Sequence, residues 1–154
     1  MTPCHGNASR SAPCLALAVV ILLAGCGQRQ PDVKPETGRE IYTIRCALCH
    51  NVNREGIPGM YPPLAGTQWV GGPPERLAAI ILDGMRGPSG YFNGVMPGWR
   101  GILRDGQIAA LMTWLRQADG KPPVTAVEVS HVRLETDGRN TFWTVEDLQN
   151  LRVR

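Results

Sequence analysis

Five consecutive residues, Cys46-Ala47-Leu48-Cys49-His50, have the types and spacing that specify a chemistry. Two thiols three positions apart lie about one helical turn from each other, so both can form thioethers to the two vinyl groups on one haem edge. The adjoining His then offers its imidazole to the iron from the same side. The pattern predicts one covalently attached haem c, which a small chain can hold without burying it deeply. Two other chemistries use paired thiols at this spacing. A redox dithiol follows a strand and opens a helix in an α/β unit, but here Ile41, Ile44 and then Leu48 fit a helical stripe. A zinc site needs two more ligands, and the chain has no second C-x-x-C and no H-x-x-x-H.

The elements that must position this motif read as helices joined by long loops. A first helix starts near Glu36 or Thr37 and runs into the motif. Residues 51–73 are rich in Gly and Pro and read as loop, with a turn near Thr67-Gln68-Trp69-Val70. Pro73-Pro74-Glu75-Arg76 opens a second helix with Pro and an acid in its first turn. Leu77, Ile80 and Ile81 form its apolar face and Gly84 stops it. A second Gly-rich loop spans Gly84 to Gly101. A third helix begins at Arg104 or Asp105 and runs through Gln117, with Ile108, Leu111, Met112 and Leu115 on one stripe before Gly120 and Pro122-Pro123 close it. No segment shows strand alternation and no internal repeat occurs. The expected fold is all-α: three to four helices with long Gly/Pro-rich loops around one covalent haem.

The N-terminus suggests where such a site is assembled. Leu15 to Ala24 is an unbroken apolar run, too short for a bilayer span of ~20 residues but suited to a secretory signal. Leu23-Ala24-Gly25-Cys26 resembles the lipobox of bacterial lipoproteins. That resemblance implies removal of residues 1–25 and lipidation of Cys26, with two or more acyl chains giving stable anchoring. The plainer reading is an ordinary signal peptide with Cys26 as the first mature residue. Cys4 and Cys14 leave with the signal, and Cys46 and Cys49 take haem, so no thiol remains for a disulfide. His5 leaves too, so a second His ligand to iron has almost no candidates beside His50 and His131. Residues 26–35 read as a polar tether from lipid to domain. Loss of Arg10 lowers the formal charge of +3 by one, and no basic block is present, so no nucleic-acid partner is expected.

The order of helix, C-x-x-C-H, Pro-Pro-Leu-Ala-Gly, middle helix, Met-Pro and last helix resembles class I cytochrome c over residues 36–120. The resemblance implies that the first helix crosses the last through a Gly and an aromatic residue, matched by Gly38 and Tyr42 against Trp114 or Leu115. It also implies a downstream Met as sixth iron ligand, matched by Met96-Pro97. Position favours Met96 as well, because Gly94 and Gly98 leave the backbone around it free to carry the thioether over the haem face. Met85, at a helix end, is the runner-up; Met112 lies on an apolar stripe and Met60 is too near His50. In the family a Pro in a Pro-x-Leu-x-Gly pattern offers its carbonyl to the proximal imidazole, and Pro62 matches it. Trp99, Trp69, Tyr91 and Arg100 are candidates for contact with the haem propionates, although for each one ordinary packing or exposure is the plainer reading.

Residues 121–154 extend beyond that fold. Thr125-Ala126-Val127-Glu128 is a capping-box pattern that opens a helix through Leu134, with His131 on its surface, and Thr144-Val145-Glu146-Asp147 suggests one more short helix. This helical extension either wraps the domain and buries Trp143 or forms a docking surface. With His50 below and Met96 above, the iron has no open position, which suits one-electron transfer and not catalysis. The expected protein is a membrane-tethered, periplasmic, monohaem electron carrier serving a dehydrogenase, nitrite reductase or terminal oxidase. The alternative is a haem enzyme or gas sensor with a labile sixth ligand.

Overall fold

The computed structural model describes residues 36–87 and 94–153. The signal segment, Cys26, the tether and Tyr91 lie outside the described residues. Helix α1 (Gly38–Arg45) starts at Thr37, whose hydroxyl accepts from the Glu40 N–H at 3.3 Å while the Glu40 carboxylate accepts from the Thr37 N–H at 2.7 Å. This reciprocal cap satisfies two donors that the helix itself leaves unpaired. The chain continues through Cys46 into α2 (Ala47–His50). The expected turn near Thr67 is a short helix, α3 (Gln68–Gly71). Helix α4 (Pro74–Asp83) carries Pro at its first position and ends at Gly84.

Two short strands then depart from the all-helical expectation. β1 (Met85–Arg86) pairs antiparallel with β2 (Val95–Met96), Met85 opposite Met96 and Arg86 opposite Val95. Strands of two residues cannot display a period-2 pattern, so their pairing leaves no mark in the sequence. Gly84 makes the ladder possible. Its φ is +79°, and a Cβ there would collide with the Met96 carbonyl. The fold remains mostly helical, with α5 (Asp105–Gln117), α6 (Ala126–Glu135) and α7 (Val145–Asn150) completing it.

The core lies between α4, α5 and α6. Leu77 to Leu82 of α4 are all buried, as are Ile108, Leu111, Met112 and Leu115 of α5. Helix α1 crosses α5 where Gly38 meets the Ala110 carbonyl and the Trp114 side chain. One turn further on, the Tyr42 and Trp114 rings lie 4.9 Å apart at 41°. Of the two partners the sequence allows, Trp114 takes the aromatic contact. Buried Arg116 donates to the carbonyls of Val70 (2.7 Å) and Gly72 (2.8 Å), tying α3 to α5.

The C-terminal segment packs on this core. Thr125 and Thr144 cap α6 and α7 with reciprocal Glu128 and Asp147 bonds. Val129, Val132, Trp143 and Leu148 are buried, and His131 is solvent-facing. Arg133 of α6 bonds Asp105 (2.7 Å) and the carbonyls of Arg100 and Leu103 (2.8 Å each).

Two predictions follow from the helices. Gly38→Ala places a methyl group against the Ala110 backbone and should cost about 1–3 kcal/mol, as overpacking does. A thermal melt of the variant should fall clearly below wild type; coincident melts would contradict the tight crossing. The second concerns the caps. The Thr125 hydroxyl holds the Glu128 carboxyl below its ordinary 4.5, and the Thr144 N–H holds Asp147 below 3.8. Both carboxyls have lower pKa values folded than unfolded, so their stabilisation is present above those ordinary values and fades as the pH drops through the lowered ones. Glu128→Gln/Asp147→Asn should therefore be less stable than wild type at pH 7 and match it at strongly acidic pH. A constant gap across a denaturation series in pH would refute this.

Candidate haem site

The motif sits on the break between α1 and α2. Cys46 is the N-cap of α2, Cys49 lies within it and His50 ends it. Both thiols are unpaired and half-buried. His50 is only 8 % exposed, and its Nδ1 is 3.1 Å from the Pro62 carbonyl oxygen. A carbonyl only accepts, so Nδ1 carries the proton and Nε2 keeps the lone pair that can bind a metal. Burial lowers the His50 pKa, against the opposing pull of the Pro62 bond, and so favours the neutral imidazole that ligation requires.

The backbone around the imidazole is pinned by a residue whose hydroxyl the sequence reading passed over. The Tyr42 hydroxyl donates to the Asn51 carbonyl at 2.6 Å and approaches the His50 carbonyl at 3.3 Å. Burial pushes this phenol up to about 12. A buried Tyr two turns ahead of the His was a usable signal, because its hydroxyl needs a partner. On the loop side, the Gly56 N–H donates to the His50 carbonyl at 3.0 Å and the Leu64 N–H to the Arg54 carbonyl at 2.8 Å. Arg54 in turn donates to the Leu115 carbonyl at 3.2 Å and lies 5.1 Å from the Trp114 ring centroid.

The thiols do not resemble a redox pair. Burial raises Cys46 to about 11, opposed by Arg45, whereas a reactive dithiol depends on a lowered thiol pKa. The motif also follows a helix and not a strand.

The residues fit a haem. Two unpaired thiols flank one turn of helix, and a neutral imidazole with Nε2 uncommitted follows them. Beside them, the Arg45 Nε–H is buried without a hydrogen-bond partner, and the guanidinium lies 5.9 Å from the Trp99 ring centroid. An orphaned cationic donor at this point suits the anionic propionates of the cofactor. Arg100, one of the candidates for a propionate contact, is held by other partners. It bonds Asp83 through two nitrogens (2.6 and 3.0 Å) and also reaches the Arg133 carbonyl (2.9 Å) and the Thr136 hydroxyl (2.6 Å). Its charge is drawn to a carboxylate that is only 4 % exposed. Trp69 and Trp99 are half-buried against the core.

Met96 is half-buried in β2 and packs against the core, directly across from Met85. Paired residues project to the same side of a ladder, and their neighbours Arg86 and Val95 are exposed. Both candidate thioethers therefore share the inner face. Met112 is fully buried in α5 and Met60 is largely exposed.

Residues 33–115, just over half of the chain, match the family model described as cytochrome c oxidase, cbb3-type, subunit III. Cytochrome c-552 of Thermus thermophilus is 34 % identical over 132 residues, covering 76 % of this chain and 84 % of that protein. The cytochrome c subunit of the quinone-dependent alcohol dehydrogenase of Gluconacetobacter polyoxogenes is 34 % identical over 62 % of this chain, but over only 22 % of its own length. A cbb3-type cytochrome c oxidase subunit of Azospirillum brasilense is 33 % identical over 55 % of this chain and 28 % of its own. A Cys pair and His on one helical turn, an imidazole oriented by a loop carbonyl, and this set of relatives agree: the chain belongs to the class I c-type cytochromes, electron carriers with one covalent haem c.

Proposed function

We propose that this cytochrome is a periplasmic one-electron carrier, held on a bacterial membrane by lipid on Cys26, with His50 and Met96 as the axial ligands of its iron. The observation that carries the reading is the His50 imidazole, fixed at Nδ1 by the Pro62 carbonyl at 3.1 Å and left with Nε2 for the metal. When bound, the haem supplies a single-electron change of iron oxidation state. Cys46 and Cys49 hold it covalently and His50 ligates one face. Pro62 keeps the imidazole ring in one orientation and makes it a stronger donor. Met96 would supply a thioether to the iron, a ligand that favours the reduced state and excludes outside ligands. Leu48, between the two thiols, is 89 % exposed, so the surface beside the attachment cysteines is open to a partner protein. A dehydrogenase, nitrite reductase or terminal oxidase of the periplasm or its membrane fits this role, through a small transient interface.

The Met96 ligand is tested optically. The ferric wild type should show the far-red band of a Met–iron bond, and Met96→Ala should lose it and bind CO in the ferrous state at least tenfold faster. Rapid CO binding by the wild type would instead favour a haem enzyme or gas sensor with a labile sixth ligand. The anchor is tested separately. Cells fed labelled palmitate should label the wild type in the membrane fraction, and Cys26→Ser should be unlabelled and soluble. An unlabelled wild type would remove the lipid anchor.

A further inference from the structure

We propose that residues 139–143 form a strap that positions the axial-ligand hairpin, with Trp143 as its anchor, and that this strap sets how firmly Met96 stays on the iron. The inference rests on the reading of Met96 as the sixth ligand. β1 is paired on both sides. On one side lies β2, which carries Met96. On the other, Trp143 forms a parallel bridge with Met85: its carbonyl accepts from the Arg86 N–H at 2.8 Å, and its own N–H donates to the Gly84 carbonyl at 3.1 Å. The extension thus adds a third member to the ladder.

A ladder of two residues per strand is too short to hold its own position, since even a complete two-stranded hairpin is marginal in water. The third member supplies what β1 and β2 lack. Trp143 is only 6 % exposed, and the Arg139 guanidinium lies 3.6 Å from its ring centroid. Arg139 also bonds the Asp147 carboxylate at 2.7 Å and the Thr141 carbonyl at 3.0 Å, fastening the strap to the start of α7. Just ahead of the strap, Arg100 joins Asp83 at the end of α4 to Thr136 at the end of α6. The strap is thereby tied to α7 through Arg139 and to β1 through Trp143, and the chain leading into it is tied to α4. Loosening it frees β1, and β2 with it, so the thioether spends more time off the metal.

The indole Nε1–H of Trp143 is buried without a partner. The anchor therefore works through ring area and stacking and not through that donor, and Trp143→Phe should preserve it. The test uses the haem-loaded protein and its Trp143→Ala, Trp143→Phe and Arg139→Ala variants, with far-UV circular dichroism to monitor folding. Trp143→Ala should weaken the far-red band, lower the midpoint potential and bind CO at least tenfold faster. Trp143→Phe should stay near wild type, and Arg139→Ala should shift the same readouts in the same direction by less. A folded Trp143→Ala with wild-type band, potential and CO rate overturns the proposal. If Trp143→Ala does not fold, Arg139→Ala decides: wild-type values there overturn it equally. Absence of the far-red band from the wild type is a different result, because it removes Met96 as ligand and the strap's role with it.

Discussion

The crossing of α1 over α5 is the contact on which the remaining geometry depends. Gly38 lets the two backbones approach at the Ala110 carbonyl, a distance that no side chain would permit. With the axes this close, Tyr42 reaches the Trp114 ring at 4.9 Å, a pairing worth about 0.5–1.5 kcal/mol beyond its buried area. The same Tyr then spends its hydroxyl on the backbone that follows His50. A helix–helix contact is thereby converted into a fixed position for the imidazole proposed to bind the iron. Trp114 serves both sides of the crossing, since Arg54 of the proximal loop lies over the same ring.

The His50 and Met96 sides of the proposed haem site are built by different means. On the His50 side everything is close in sequence: the motif, the Gly56 turn and the Pro62 carbonyl lie within seventeen residues of one another, from 46 to 62. Short loops with backbone bonds at each turn hold such a face at little entropic cost. On the Met96 side nothing is local. The ladder joins residues about ten apart in the chain and draws on Trp143, some fifty residues later. Its register is set by the end of α4 at Gly84, by Trp99 and Arg100 bonding the carbonyls of Ile81 and Leu82, and by the strap. Stiffness on one side and adjustable support on the other suit a carrier with a permanently attached cofactor and the proposed Met96 thioether, a ligand through which the potential can be tuned.

Arg100 and Arg45 illustrate why charge alone is a weak guide to a site. Both are guanidinium groups close to the predicted haem region, and Arg100 stood among the sequence candidates. Its five donors are mostly taken by Asp83, Thr136 and a helix-terminal carbonyl, so it braces the fold. Arg45 has no sequence signal that marks it out, yet it carries a buried nitrogen without a partner. The difference is which carboxylate or carbonyl lies within reach, and that is fixed by packing.

Local chemistry was readable from the sequence. The C-x-x-C-H run names its own cofactor, and Thr with Glu or Asp three residues later marks the starts of α1, α6 and α7, because capping acts within one turn. Pro74 and Gly84 bound α4 for the same reason. Only the tertiary structure decided the choice of Trp114 over Leu115 at the crossing, the ladder that sets Met96 against Met85, and the use of the C-terminal extension to brace it. These depend on pairings between segments far apart in the chain. A two-residue strand or a single buried Trp carries no periodic signal that would announce its partner.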